Sequence, residues 1–421
     1  MLVVVAVLVF GWSVLSARLD RFDVTGPMVF VAAGVVLCHG PGRIIDLSVE
    51  TESIHAAAEV TLVLLLFSDA ARVRPGDLRR STGLPTRLLA IGLPLTFAAG
   101  FGVAALLLDL PWELAALVGA ALAPTDAALS AAVVSDERLP VGIRRSLNVE
   151  SGLNDGIATP AVTGFIASAA VAIGAGVLPD TASGSGVAAL VDVLGGVAVG
   201  AAVGFGGGRT VTWARARGWI APGGRRVAVL MLPLVAFGAS HLLEVNFFVA
   251  AFVAGLAFRG AVEEDDPEAT ELPELVGRVL SLGVWFVFGA AMVVDELRLV
   301  DWRIGLVAVL SLTLVRMVPV ALALAGSGVG RPATLFIGWF GPRGLASVVF
   351  GLLIVEELPV SDPGVRTILS VISLTVLLSV MAHGLSGRPL CSWMAGQEVG
   401  APGHEGGAGM RPTSPFGRHH R

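Results

Sequence analysis

The sequence predicts an all-α polytopic membrane protein with about 13 transmembrane helices. Of its 421 residues, 55% are hydrophobic and 14% are charged, and the mean hydropathy is +0.82, whereas about a quarter of a soluble chain is charged. Apolar runs recur along the chain, each long enough as a helix to cross about 30 Å of hydrocarbon. The strands of a membrane barrel would instead be about ten residues long, with alternating polarity. A soluble domain and a β-barrel are therefore excluded.

The apolar runs between turn residues and charge clusters define the predicted spans in order. They are residues 2–17, 26–42, 54–71, 86–108, 112–134, 146–173, 187–205, 226–243, 245–258, 279–294, 303–325, 332–355 and 366–386. The first run lacks the basic residues that open a signal peptide, so we expect a retained helix. Residues 396–421 are rich in Gly, Pro and His and are expected to form a disordered cytoplasmic tail, which leaves residues 1–395 as one transmembrane domain.

The arginines set the predicted orientation. All 28 basic residues are arginine. With the N-terminus outside, 22 of them lie on the cytoplasmic side, four lie outside, and two, Arg316 and Arg343, lie within spans. Because basic residues concentrate in cytoplasmic loops, we expect a cell-membrane protein with an external N-terminus and a cytoplasmic C-terminal tail.

Five charged side chains interrupt otherwise apolar spans: Asp126, Glu150, Asp155, Arg316 and Arg343. Each costs roughly 3 kcal/mol or more at the bilayer centre if it is unpaired, so we expect these side chains to meet one another. Three carboxylates against two guanidinium groups leave one negative charge, which requires a proton or a metal cation. For Glu150 and Arg316 the favoured interpretation is a structural ion pair.

The fifth and twelfth spans each contain a proline-bearing interruption, at residues 123–127 and 338–344. Proline removes a backbone donor and frees carbonyl groups for other partners, although a simple capped kink remains an alternative in the fifth span. If spans 1–6 and 8–13 are two inverted six-helix repeats, both interruptions fall in the fifth helix of their repeat. Crossed discontinuous helices of this kind are typical of transporter sites. Asp126 is then expected to face the N-terminal ends of the half-helices and Arg343 the C-terminal ends.

The sixth span contains a patch of polar side chains. Ser151 and Asp155 are i, i+4 neighbours, as are Glu150 and Asn154, so the four groups share one region of the helix surface. Carboxylate, hydroxyl and amide oxygens suit a hard monovalent cation, whereas a transition-metal site would use His or Cys. The patch therefore predicts a cation site.

At these residues the chain resembles the monovalent cation/proton antiporter superfamily, in the sodium/proton exchanger branch that has an Asn-Asp pair on the sixth helix. The resemblance runs from about residue 25 to residue 387. The motifs that carry it occur in order on the expected spans: Pro124-Thr125-Asp126, Glu150-Ser151, Asn154-Asp155, Arg316 and Gly341-Pro342-Arg343-Gly344. It implies a homodimer in which a moving core works against a dimerisation domain.

The resemblance also implies roles for individual residues. The cation and proton site would comprise Asp155, Asn154, Ser151, Thr125 and Asp126. Within it, Asp155 would alternately hold a proton and the cation, and Na⁺ or K⁺ would bind at Asp155, Ser151 and Thr125. Glu150 and Arg316 would form a structural pair beside the site, and Asp126 and Arg343 would stabilise the crossed helices.

Two positions depart from the family pattern. Ala127 stands where many members have proline, which bears on how far the fifth helix unwinds. Phe67 is followed by Ser68 and Asp69, where some members place a glutamate ligand. Asp69 is either part of the site or a cytoplasmic-end residue near Arg72 and Arg74, and the sequence leaves both interpretations open.

We therefore expect a transporter that is not an enzyme and that uses no cofactor beyond the ions it carries. The expected reaction is electroneutral one-for-one exchange of a monovalent cation, Na⁺ first, for H⁺, with a role in pH homeostasis and no nucleic-acid partner. The alternatives are a K⁺/H⁺ or electrogenic antiporter of the same superfamily and, less favoured, a passive cation channel. An intramembrane aspartyl protease would carry a Tyr-Asp signature, and the chain has no Tyr.

Overall fold

A computed structural model of the protein describes residues 2–40, 52–73, 83–126, 128–175, 186–262 and 269–399. Within these ranges all regular secondary structure is helical, which confirms the all-α fold class. The last helix continues to Val399, and residues 400–421 of the predicted tail lie outside the described residues.

The helices are numbered in chain order, with the halves of an interrupted helix marked a and b. They are α1 Leu2–Leu19, α2 Gly26–His39, α3 Glu52–Arg72, α4 Leu84–Leu107, α5a Trp112–Ala121, α5b Ala131–Val134, α6 Val141–Ala172, α7 Gly186–Ala216, α8 Pro222–Leu242, α9 Phe247–Ala261, α10 Glu271–Leu297, α11 Trp302–Leu324, α12a Arg331–Trp339, α12b Leu345–Glu357 and α13 Pro363–Val399.

Each predicted span has its counterpart among these helices. Eight of them, α3, α4, α6, α7, α8, α10, α11 and α13, are long and apolar enough to cross a membrane, which makes this a multi-pass membrane protein. The helices α1, α2, α5a and α9 are shorter and apolar. The number of crossings therefore stays a prediction.

Local sequence signals place several helix starts. Pro85, Pro332 and Pro27 each lie in the first turn of a helix, where the missing N–H has no helical partner to lose. Asn246 and Asp301 cap α9 and α11. Their side-chain oxygens accept the backbone N–H groups of Val249 and Ile304, three residues later in each case, at 3.0 and 2.9 Å. These signals fix where the apolar segments begin.

The described helices pack as two groups. A scaffold group consists of α1, α2, α3, α7, α8, α9 and α10, with α9 packed against both α3 and α7. A core group consists of α4, α5a, α6, α11, α12 and α13, with α5a packed against α4, α6 and α13. The two groups meet where α3 and α9 contact α6, and where α3, α10 and α12b come together. The interrupted helices thus both belong to the core group.

The scaffold group presents an apolar outer surface. Val187, Leu190, Val191 and Leu194 of α7 are all more than half exposed. By contrast, α5a and α12b are almost completely buried. An exposed apolar helix beside a buried one is the pattern expected when lipid rather than water surrounds the bundle.

Candidate functional site

The interruptions of α5 and α12 cross in the middle of the core group. The backbone N–H of Asp126 donates to the carbonyl of Pro342 at 2.8 Å. Gly344 lies directly against Asp126, and a Cβ atom at Gly344 would overlap its carboxylate. Glycine is therefore required for the close approach. Ala127, where the family pattern has proline, lies outside the described residues.

Asp126 accepts backbone N–H groups from both interruptions. Its Oδ1 accepts those of Ala128 and Leu129, in the turn before α5b, at 2.7 and 3.3 Å. Its Oδ2 accepts the N–H of Leu345, the first residue of α12b, at 2.7 Å, one of the N–H groups that a helix start leaves unpaired. Both oxygens are thus occupied by backbone groups. Asp126 lies in the predicted cation and proton site, but its oxygens are engaged with the backbone.

Arg343 is completely buried and faces carbonyl groups. Its Nη1 donates to the carbonyls of Ala123 and Pro124 at 2.7 and 3.1 Å, and its Nη2 to the carbonyl of Ser311 at 3.4 Å. The carbonyls freed by the α5 interruption are therefore held by the cation of the α12 interruption. These carbonyls lie just beyond the C-terminal end of α5a, where the helix dipole is negative.

Glu150 of α6 and Arg316 of α11 form a bidentate ion pair. Their two N–O distances are 2.6 and 2.8 Å, and each side chain is 1% exposed. The guanidinium of Arg316 runs past Gly341, where a side chain would collide with it. The pair accounts for two of the five intramembrane charges and ties α11 to α6 beside the crossing.

The polar patch of α6 faces the α5 interruption. Asn154 Nδ2 donates to Thr125 Oγ1 at 2.6 Å, and the same hydroxyl lies 3.2 Å from Ser151 Oγ. All three residues are buried. Asn154 Oδ1 and Asp155 Oδ1 are buried without a hydrogen-bond partner among the described residues. The structure therefore gathers Thr125, Ser151 and Asn154 into one polar cluster, and Asp155 lies next to Asn154 in sequence and one helical turn beyond Ser151 on α6.

Asp155 is half-buried and lies within electrostatic range of two other carboxylates, Asp126 and Asp69. Asp69 of α3 contacts α6, since a Cβ atom at Gly152 would lie 3.5 Å from the Asp69 Cβ. Ser68, by comparison, donates its hydroxyl to the Leu64 carbonyl of its own helix at 2.7 Å. Asp69 is therefore the scaffold residue that approaches the cluster.

A cavity of about 270 Å³ reaches this region from one end of the bundle. Asp69 and Gly152 line its inner part, and Arg144, Arg145 and Asn148 of the first turns of α6 line it farther out. Gly152 precedes Asp155 by three residues, so the cavity comes within about one helical turn of the Asp155 side chain. Arg72 also lines this cavity and pairs with Glu274, while Arg74 lies outside the described residues.

Scaffold side chains close the opposite side of Asp155. Phe252 of α9 packs so tightly on Gly156 that any side chain there would overlap its ring. Farther along α6, Asn246 Nδ2 donates to Thr163 Oγ1 at 3.1 Å and to Asp192 Oδ2 at 3.2 Å. These contacts join the core group to the scaffold group and separate the cluster from that end.

A second cavity, of about 790 Å³, lies at the other end of α3. Its lining is acidic, with Glu52, Glu356 and Glu357, and His55 pairs with Glu356 at 3.3 Å across α3 and α12b. The two cavities therefore lie at opposite ends of the boundary between the two helix groups.

Sequence reasoning missed three polar residues of the crossing. Ser347 donates to the Ala121 carbonyl at 2.7 Å, and Ser379 and His383 of α13 contact the α12 interruption. Serine is uncharged, so it does not stand out in the sequence of an apolar span. His383 could have been found, because it is an ionisable residue within predicted span 366–386.

Comparisons with known proteins agree with this arrangement. A family model described as sodium/hydrogen exchanger, transmembrane, matches residues 4–393. A solved structure of the sodium proton antiporter MjNhaP1 from Methanocaldococcus jannaschii at pH 8 superposes with a TM-score of 0.69 and 19% identity, covering 94% of this chain and 98% of that chain. An electron-microscopy structure of the same antiporter gives a TM-score of 0.71 and 18% identity over the same shares.

The curated relatives are longer proteins, which match this chain over part of their length. The K⁺/H⁺ antiporter NhaP2 of Shewanella oneidensis is 24% identical over 376 residues, and that of Shewanella sp. strain ANA-3 is 25% identical over the same length. Each alignment covers 88% of this chain and 63% of the relative. The chain thus spans less than two thirds of the length of these relatives.

Proposed function

The chain belongs to the sodium/hydrogen exchanger family, and from this premise we propose that it exchanges a monovalent cation for H⁺ across the membrane by alternating access. The family is a transporter family, and we propose no catalytic activity and no cofactor for this chain. The ions are its substrates.

One observation carries this proposal. Glu150 and Arg316 neutralise each other, and the charges of Asp126 and Arg343 are satisfied by backbone groups. Asp155, in contrast, has a buried oxygen without a hydrogen-bond partner among the described residues. A carboxylate in that position needs either a proton or a cation to remain in a low-dielectric site.

The neighbours of Asp155 supply the remaining oxygens. Ser151 and Thr125 each present a hydroxyl, and Asn154 presents a buried amide oxygen without a partner. Oxygen ligands of this kind suit a hard monovalent cation. Because Asp155 holds either one proton or one cation, the two substrates compete for the same side chain, and each occupies the site when the other has left.

Alternating access follows from the two helix groups. The cavity beside Asp69 gives access from the end that our orientation places in the cytoplasm, while Phe252 and Asn246 close the opposite side. We propose that the core group moves against the scaffold group, so that the contacts of Phe252 and Asn246 open as the cytoplasmic cavity closes. Asp155, with a proton or a cation bound, would thereby face the two sides of the membrane in turn.

The stoichiometry proposed is one cation for one proton. A single exchangeable carboxylate carries no net charge in either occupied form, so the exchange is electroneutral. Purified protein in proteoliposomes tests this with a pH-sensitive dye inside, a cation gradient, and a voltage imposed by a gradient of the permeant anion thiocyanate, which adds no candidate cation. An end point that follows the imposed voltage would contradict it and favour electrogenic exchange.

Na⁺ is the proposed cation, and K⁺ is a specific second candidate because the NhaP2 relatives are described as K⁺/H⁺ antiporters. Proton flux measured with Li⁺, Na⁺, K⁺ and Rb⁺ on the same vesicles, with the voltage held near zero by a permeant anion at equal concentration on both sides, distinguishes them. Cation flux without proton counterflow would replace the antiporter by a passive channel.

Orientation, assembly and physiological role are parts of the same proposal. We propose an external N-terminus, a transmembrane exchanger domain over residues 1–395, a cytoplasmic tail over residues 396–421, a homodimer in the cell membrane, and a role in pH homeostasis. Cysteine substitutions at Leu299 and Gly218, labelled from each side of oriented vesicles, test the orientation, because these positions lie at opposite ends of the bundle in that scheme.

A further inference from the structure

A chain of polar contacts from α13 holds the α12 interruption. The backbone N–H of Arg343 donates to Ser379 Oγ at 2.7 Å. The same hydroxyl lies 3.2 Å from His383 Nδ1, and His383 Nε2 lies 2.9 Å from the carbonyl of Trp339. Trp339 ends α12a, and Arg343 lies just before α12b. The two α13 side chains therefore bridge both sides of the interruption.

Donor and acceptor roles show what His383 holds. The Trp339 carbonyl can only accept, so Nε2 of His383 donates to it. Nδ1 lies 2.9 Å from the Ser379 carbonyl and 3.2 Å from Ser379 Oγ, which accepts the N–H of Arg343. The contacts thus form a chain from Arg343 through Ser379 and His383 to Trp339.

Packing holds the chain in place. Ser379 is 0% exposed and His383 is 2% exposed. The imidazole stacks on the Trp339 ring, with centroids 5.1 Å apart and planes at 30°, and Trp339 Nε1 donates to Ser386 Oγ at 2.9 Å. The spacings of four and three residues place Ser379, His383 and Ser386 on one face of α13.

We propose that Ser379 and His383 are positioning residues for the exchange reaction. They fix the backbone at Arg343, whose guanidinium holds the carbonyl of Pro124. Pro124 directly precedes Thr125, which contributes its hydroxyl to the cluster around Asp155. Releasing the α12 interruption therefore shifts a proposed cation ligand that neither α13 residue touches. This role rests on the proposed exchange function.

Ser379→Ala tests the role against a matched control. Ser373 lies on the same helix, is equally buried, and its hydroxyl has no hydrogen-bond partner among the described residues. We expect Ser379→Ala to raise the apparent KM for the cation about tenfold, the consequence of losing one buried hydrogen bond, and Ser373→Ala to change it by less than about twofold. Equal KM values for the two variants would overturn the proposal.

Substitutions at His383 test the hydrogen bond to Trp339 separately from the one between Ser379 and Arg343. His383→Gln retains an N–H for the Trp339 carbonyl and is expected to raise KM less than His383→Leu, which retains none. Since Ser379 and His383 act in series, Ser379→Ala with His383→Leu should raise KM no further than the larger single effect. Effects that multiply in the double variant would overturn the chain.

Amide hydrogen exchange across residues 339–346 measures how firmly the α12 interruption is held, independently of transport. We expect at least about tenfold faster exchange in Ser379→Ala and in His383→Leu, with Ser373→Ala matching the wild type. Unchanged protection would overturn the proposal whatever the flux. If the wild type shows no cation-dependent proton flux, only the exchange function fails. If Ser379→Ala does not fold, His383→Gln against Ser373→Ala decides by the same two measurements.

Discussion

The helix crossing and the polar patch of α6 lie side by side, but their polar groups are in opposite states. In the crossing, Asp126 accepts three backbone N–H groups and Arg343 donates to three carbonyls. In the patch, Asp155 and Asn154 each have a buried oxygen without a hydrogen-bond partner among the described residues. In the crossing both carboxylate oxygens of Asp126 are hydrogen-bonded to the backbone, whereas in the patch a carboxylate oxygen of Asp155 has no such partner among the described residues.

The difference distinguishes intramembrane charges that stabilise the fold from the charge that we assign to transport. Removing a partner from Asp126 or Arg343 would expose helix ends to hydrocarbon, so these charges are fixed parts of the fold. A carboxylate without a hydrogen-bond partner among the described residues can exchange a proton for a cation without disturbing a helix. We therefore expect substitutions in the crossing to act on stability and substitutions in the patch to act on exchange.

Asp155→Asn should have the largest effect on transport. The amide is nearly isosteric but cannot take up a proton or present a negative charge, so exchange should fall to the background of protein-free liposomes while the protein remains folded. Asp295→Asn, a carboxylate near the end of α10 and about half exposed, is the control and should exchange normally. Normal exchange by Asp155→Asn would remove this residue from the proposed role and erase the distinction between the two regions.

Glu150→Ala should have the largest effect on stability. It leaves Arg316 buried without its carboxylate partner, which costs about 3–5 kcal/mol. Thermal unfolding in detergent should show the loss, whereas relative rates with Na⁺ and K⁺ should stay close to those of the wild type. Replacing both Glu150 and Arg316 by Met should cost less than Glu150→Ala, because no buried charge remains. An unchanged melting temperature for Glu150→Ala would contradict a structural pair.

Much of this contrast could be predicted from charge alone. Glu150, Asp155, Arg316 and Arg343 stand out because each is expensive in an apolar span. Asp126 is likewise expected to face the N-terminal ends of the half-helices, but its partner could not be named from the sequence, because the N–H of Leu345 belongs to a residue 219 positions away that only the crossing brings near.

Other features depend on packing that carries no local signal. Asp69 approaches Gly152 and also lines a cavity together with Arg72, so both of its interpretations stay open, and these positions result from how α3 crosses α6. Phe252 reads as an ordinary apolar residue, yet its ring closes one side of the patch. The sequence identifies which charges must meet, but not which neutral side chains surround them.

Ser151→Ala should have a smaller effect, confined to exchange. It removes one proposed cation oxygen and should raise the apparent KM for the cation by about threefold to tenfold, with little change in melting temperature. Ser146→Ala is the matched control, because Ser146 is also a buried serine of α6 but donates its hydroxyl to the Gly142 carbonyl of its own helix. An equal KM change in both variants would mean that the patch does not bind the cation.

The smallest effect is expected at Asp136 and Arg138, an ion pair of the same chemical type as Glu150 and Arg316 but outside the spans. Asp136 Oδ2 lies 2.6 Å from Arg138 Nη2, and the Arg138 side chain is 55% exposed. The hydrogen bond from Arg138 lowers the pKa of Asp136 below its usual range. Solvent screens such a pair, so Asp136→Asn should change the melting temperature by about 1 °C or less.

The pH dependence at Asp136 has a definite sign. Because the pKa is lower in the folded protein, the stabilisation is present above the unfolded pKa near 3.8 and disappears as the pH falls through the folded value. The melting difference between wild type and Asp136→Asn should therefore shrink progressively as the pH falls below the unfolded pKa near 3.8. A difference at pH 7 as large as that of Glu150→Ala would show that burial does not separate the two ion pairs.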